Sequence, residues 1–219
     1  MTHCFSRRSF LKGSAAAAAA LTSPLLPADA ASSETENGLF SPVSALCQTQ
    51  YGPVKGREGE NGLLCWYGIP YGAAPTGESR WTAPQEPACW LTVRDCTSPA
   101  PAAYQYTTFP LGTEDCLTLD IYSSAEAKKR PVLVYLHGSA ATGSSLELPG
   151  CELVRDAGCV FVALNYRLGL FGWNCLPALT ADPDATGNFA LLDIARAVPE
   201  VWASVYDVRD LLNAAVQLR

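Results

Sequence analysis

Two uninterrupted apolar runs, Pro131 to Leu136 (PVLVYL) and Cys159 to Leu164 (CVFVAL), constrain this chain more than any other feature. Neither has a polar face, the pattern of a strand covered on both sides in a mostly parallel sheet. Between them, Glu152 to Asp156 reads as a short helix, and Gly158 supplies the left-handed residue that ends it. Strand, crossover helix and strand make an α/β unit. Downstream, Gly187-Asn188 opens an apolar-periodic helix carrying Phe189, Leu191, Leu192, Ile194 and Ala195, which Pro199 is expected to end or kink. Upstream, short strand-like stretches from Tyr51 onward alternate with Gly and Pro, and Thr76 to Trp90 reads as an extended loop wrapped over the body.

The amino terminus carries a different signal. Residues 6 to 12 read SRRSFLK, followed by Ala15 to Ala20 and by Ala28-Asp29-Ala30, a small-x-small cleavage pattern. Residues 1–30 resemble a bacterial twin-arginine export signal, and 31–50 follow as a polar lead-in. Pro24 and Pro27 interrupt the apolar stretch, so no segment reaches the roughly 18 apolar residues of a spanning helix. A soluble periplasmic or secreted product, delivered by the twin-arginine machinery, is expected. Without Arg7, Arg8, Lys12 and Asp29 of the leader, 12 basic residues face 20 acidic ones, a formal charge of −8 against −6 for all 219 residues. That balance disfavours a nucleic-acid groove, which needs clustered positive charge. The one basic run, Lys128, Lys129 and Arg130, reads as a solvated loop.

Cys47, Cys65, Cys89, Cys96, Cys116, Cys151, Cys159 and Cys175 follow the leader. An exported protein is permitted disulfides. With no CxxC and only His137 left after the leader, a Cys/His zinc site is disfavoured, and neither metal nor cofactor is expected. Buried thiols acting as small apolar residues remain the other reading of most of these cysteines.

Four blocks in order then carry a family resemblance: GIPYGAAPTGESRWTAPQEPACW (Gly68 to Trp90), TEDCLTLDIY (Thr113 to Tyr122), PVLVYLHG (Pro131 to Gly138), and NYRLGLFGW (Asn165 to Trp173) leading into GNFALLDIARA (Gly187 to Ala197). Residues 51–197 resemble the amino-terminal part of the type B carboxylesterases, the α/β-hydrolases that include cholinesterases and para-nitrobenzyl esterases. The resemblance implies an α/β-hydrolase fold of which the chain holds the front part only, with an incomplete central sheet. It implies hydrolysis of a carboxylic ester to acid and alcohol. It places Gly138, Ser139 and Ala140 at an HGGG-type turn whose backbone amides form an oxyanion hole, with Ser and Ala in place of two glycines. Each such donor is worth about 2.7 to 4 kcal/mol in the transition state. His137 falls at a structural position and receives no catalytic role. Two structural ion pairs are implied, Arg80 with Glu114 and Arg167 with Asp193. So is a disulfide between Cys96 and Cys116, whose loop of about 20 residues would contribute roughly 3 kcal/mol.

The nucleophile elbow is absent. Such an enzyme needs GxSxG, then an acid and a histidine. Neither Gly77-Glu78-Ser79-Arg80-Trp81 nor Gly143-Ser144-Ser145-Leu146-Glu147 completes the pattern, so no catalytic triad is assigned. The likeness stops after Ala197, and 198–219 read as a divergent tail, which suggests a truncated or frameshifted frame. Three expectations follow. The chain is a carboxylesterase portion inactive alone, it is a non-catalytic cholinesterase-like adhesion module, or it is half of a split enzyme completed by a carboxy-terminal fragment.

Overall fold

The computed structural model describes residues 45–125, 130–174, 176–179, 187–199 and 201. The expected leader, most of the lead-in, Lys128, Lys129, Cys175 and nearly all of the tail lie outside the described residues. Ten strands are described: β1 (Leu46–Gln48), β2 (Pro53–Lys55), β3 (Arg57–Glu58), β4 (Leu63–Pro70), β5 (Arg94–Asp95), β6 (Gln105–Tyr106), β7 (Pro110–Leu111), β8 (Thr118–Ser124), β9 (Val132–Leu136) and β10 (Val160–Leu164). Helix α1 spans Gly150–Ala157, α2 is the single turn Gly169–Gly172, and residues 189–199 form a third helical segment.

The two apolar runs are neighbours: β9 and β10 pair in parallel, Val160 opposite Val132 through Leu164 opposite Leu136. They belong to a five-stranded sheet of order β3-β4-β8-β10-β9. The expected mostly parallel sheet is found only at that pair, because β10–β8, β8–β4 and β4–β3 are antiparallel. Beside this sheet lie β1-β2-β5 and the hairpin β6-β7. The β4–β8 ladder slips between Trp66 and Ile69, where Gly68 takes φ 65° and donates its amide to the Asp120 carboxylate at 2.8 Å. A Cβ at Gly68 would stand 2.7 Å from that of Ala100, so the bulge needs glycine for both its conformation and its packing.

Period-two alternation sends Leu63, Cys65 and Tyr67 of β4 to one face, where they meet Tyr122, Phe161, Ala163, Val154 and Cys159 in a buried cluster. Helix α1 covers that cluster and ends at Gly158 (φ 62°), whose amide bonds the Val154 carbonyl at 3.0 Å. The apolar runs fare differently. All five residues of β10 are buried, whereas β9 leaves Leu133, Val134 and Leu136 exposed. Among the described residues, cover on two sides therefore holds for β10 and fails for β9, which is the edge strand. Pro199 does not stop the third helical segment before itself, since 199 is helical. No helix among the described residues is long and apolar enough to cross a membrane.

Candidate active site

The loop that leaves β9 turns at once. Ser139 adopts φ 71°, a left-handed conformation that costs a β-carbon-bearing residue about 1–2 kcal/mol and that a glycine accepts freely. Its hydroxyl oxygen offsets part of this by accepting the amides of Ala141 (3.2 Å) and Thr142 (3.3 Å). The Ala140 carbonyl is fixed by the Gly169 amide at 2.7 Å, which joins the turn to α2. The amides of Gly138, Ser139 and Ala140 meet no acceptor among the described residues, and all three residues are exposed. Three adjacent amides at the carboxyl end of β9 thus have no protein acceptor among the described residues.

Four contacts hold this loop, none of them singled out in the sequence. The Gln105 side-chain amide grips Gly143 at both ends, accepting its N–H at 3.0 Å and donating to its carbonyl at 2.9 Å. The Ser145 hydroxyl donates to Asp120 at 2.7 Å, and its amide donates to Asn165 Oδ1 at 2.9 Å. Asn165 Nδ2 returns a bond to the Ser145 hydroxyl at 3.0 Å. Tyr135 of β9 donates to Glu147 at 2.8 Å. Asp120 is buried with neutral partners, and burial raises its pKa while the Ser145 hydroxyl and Gly68 amide pull the other way. The readable signal for this network was a carboxylate inside an otherwise apolar strand, TLDIY.

His137 lies under the loop, 3% exposed, stacked on Tyr166 with centroids 4.2 Å apart, and the Tyr166 hydroxyl donates to its carbonyl. Burial depresses its pKa, against the opposing pull of the Gly138 carbonyl and Glu147. Nε2 has no hydrogen-bond partner among the described residues. This is a packed position rather than one aimed at solvent.

Arg80 and Glu114 form a two-pronged pair at 2.6 and 2.8 Å, partly exposed, with the guanidinium over the Trp81 and Phe171 rings. Arg167 and Asp193 form the buried counterpart, 2% and 0% exposed, at 2.8 and 2.6 Å. The remaining nitrogen of Arg167 donates to the carbonyls of Arg80 and Thr82, so one guanidinium ties the wrapping loop to the third helical segment. Arginine suits this position because its planar fork meets a carboxylate on one edge and chain carbonyls on another.

The disulfide expected between Cys96 and Cys116 is not formed: both are buried thiols. They occupy different surroundings. Cys96 is held between strands, donating its amide to Lys55 and accepting that of Tyr67, whereas Cys116 sits beside Arg167, Leu168 and Phe171. Burial pushes the Cys96 thiol up to about 11 and the Cys116 thiol further still. Cys89 is the disulfide-bonded cysteine among the described residues.

Comparison with known proteins places this architecture. The model of the carboxylesterase family matches residues 43–203, which begin ahead of Tyr51 and reach past Ala197. The chain belongs to the carboxylesterase family. Among its carboxylesterase relatives, the para-nitrobenzyl esterase of Bacillus subtilis (strain 168) is 38% identical over 172 residues, covering 73% of this chain and 35% of that protein. The fumonisin B1 esterase of Sphingopyxis macrogoltabida is 35% identical over 162 residues, covering 68% and 29%. A solved thermophilic PNB esterase superposes with a TM-score of 0.68 at 34% identity, covering 75% of this chain and 36% of its own. The fold is therefore the amino-terminal part of an α/β-hydrolase, and the chain spans about a third of the length of the curated relatives it matches. Residues 4–24 match the TAT (twin-arginine translocation) pathway signal sequence, a signal for export across the membrane.

Proposed function

We propose that this chain supplies the oxyanion turn of a carboxylic-ester hydrolase acting outside the cytoplasm, in the periplasm or beyond. The observation that carries the reading is the row of amides at Gly138, Ser139 and Ala140, exposed at the end of β9 with no acceptor among the described residues. In that reaction a serine attacks the ester carbonyl, the carbonyl oxygen gains negative charge, and preorganised N–H groups stabilise it before alcohol leaves and water releases the acid. The turn is built for the second of these steps. The sequence contains no GxSxG, so this stretch does not supply the attacking serine of such an elbow. The polypeptide by itself turns over no ester at a useful rate, since losing the nucleophile or base costs about 10⁶ in kcat, roughly 8 kcal/mol.

The test is a hybrid in which residues 51–197 replace the matching part of the Bacillus subtilis para-nitrobenzyl esterase. The hybrid is expected to hydrolyse p-nitrophenyl acetate weakly, because Ser139 and Ala140 replace flexible glycines. Ser139→Gly is expected to raise kcat with little change in KM, as relief of the left-handed strain lets the turn close on the oxyanion. A folded hybrid that stays inactive with Ser139→Gly would favour a non-catalytic, adhesion-type role. Steady turnover by the unmodified 219-residue chain, abolished by a serine-directed inhibitor, would overturn the reading.

A further inference from the structure

Cys65 Sγ and Cys151 Sγ lie 3.4 Å apart, although 86 residues separate them in sequence. Their meeting follows from packing. Cys65 is opposite Tyr122 in the β4–β8 ladder, and Gly150 rests on the Tyr122 ring so closely that a Cβ there would come within 2.7 Å of it. That contact lowers the first turn of α1 onto the sheet and sets the next residue, Cys151, over Cys65. Cys65 is 1% exposed, whereas Cys151 is only half-buried. Cys159 shares the cluster but points its thiol at the Leu153 carbonyl, 3.8 Å away.

We propose that Cys65 and Cys151 are a latent disulfide that closes after export and staples α1 to β4. The chain carries a signal of the route that usually exports folded cargo, so the pair would first meet an oxidising compartment with its geometry already set. The sulfurs need to approach by roughly 1.4 Å to reach bonding distance, a matter of side-chain rotation and a small shift of the helix start. The oxidant is an exogenous disulfide, such as a thiol–disulfide oxidoreductase in its oxidised form. Cys151 as thiolate attacks one sulfur of it, giving a mixed disulfide and expelling the first thiol. Cys65 then attacks the Cys151 sulfur and expels the second. Both S–H bonds break, one S–S bond forms, and the two electrons and two protons end on the oxidant as two thiols. Cys65 loses its proton reluctantly: burial and then the neighbouring Cys151 push it up to about 12, eased by Tyr67 and Arg57. The second step is therefore the slow one, and Cys151 is the entry point. Because α1 begins where the oxyanion loop ends, the staple would also fix the far end of that loop.

The full chain, purified reduced and treated with oxidised glutathione, should yield a peptide cross-link between Cys65 and Cys151 in non-reducing mass spectrometry, with the mass of two hydrogen atoms lost. Cys151→Ser should abolish it and leave Cys65 alkylatable after denaturation, while Cys159→Ser should leave it intact. In cells, the link should appear in the exported chain and be missing from a chain retained inside by replacing Arg7 and Arg8 with lysine. Alkylation of Cys151 in undiminished yield after oxidation, a link to Cys159 instead, or an exported chain with both thiols free would each overturn the proposal. None of these readouts depends on ester hydrolysis, so they stand or fall apart from the esterase reading.

Discussion

Strands β9 and β10 are written in almost the same letters, VLVYL and VFVAL, and lie side by side in parallel, yet one is sealed and the other open. β10 has β8 on one edge and β9 on the other, and Phe161, Val162, Ala163 and Leu164 are wholly buried. Among the described residues β9 has a neighbour on one edge only, and Leu133 is 46% exposed. An aliphatic run records what a strand was selected to lie against; whether that cover is in place is a property of the surrounding chain. Among the described residues, β9 has the composition of an interior strand at the edge of the sheet.

The sharpest way to break this comparison is truncation on both strands. Phe161→Ala should cost about 3–5 kcal/mol as a buried aromatic is lost from the cluster, and Leu133→Ala about 1 kcal/mol, since only half that side chain leaves water. Urea unfolding measures both, and equal losses would mean that β9 is covered after all. Next in size is the buried ion pair. Arg167→Met strands Asp193 among apolar neighbours and should cost about 3–5 kcal/mol, while Arg80→Gln, at the partly exposed pair, should cost far less. An open β9 edge is also a template for pairing between copies. Val134→Lys should reduce self-association in light scattering with little change in the unfolding midpoint, whereas Val162→Lys should abolish folding.

The smallest expected effect is a pH dependence. Burial holds the His137 pKa below its ordinary value, so the unfolded chain binds the proton more readily than the folded one. The stability tied to neutral His137 is complete above about pH 6.5, the unfolded value, and is lost as pH falls through the lower folded value. In His137→Phe, which keeps the stack on Tyr166, the fall of stability below that pH should be shallower. Parallel curves for the two proteins would remove His137 as the cause.

Much of the frame was legible. The β9–α1–β10 unit follows from periodicity and a single glycine, and the pairs Arg80–Glu114 and Arg167–Asp193 from resemblance, because both chemistries are local patterns or fixed motif positions. The antiparallel pairing of β4, β8 and β10 was not legible, since strand direction is set by connections and not by composition. The Cys96–Cys116 bridge failed for a related reason: spacing along the chain says nothing of the direction in which a thiol points, and here each turns into a different part of the core. The same limit hid Cys65 and Cys151. At the candidate site, the departure from glycine at Ser139 was visible, and Ser139 adopts a positive φ. The clamp by Gln105 was invisible, and of the Asp120–Ser145–Asn165 network only the carboxylate inside an apolar strand was readable, because these contacts join positions up to 38 residues apart through single side chains.

The guanidinium of Arg167 grips carbonyls synthesised some 85 residues before it and a carboxylate synthesised 26 residues after it. Without Asp193 that cation would lose its carboxylate partner, while the Gly68 to Trp90 wrap would keep its Arg80–Glu114 pair and its bonds to the Arg167 guanidinium. One side chain thus links three stretches of the chain that are far apart in sequence.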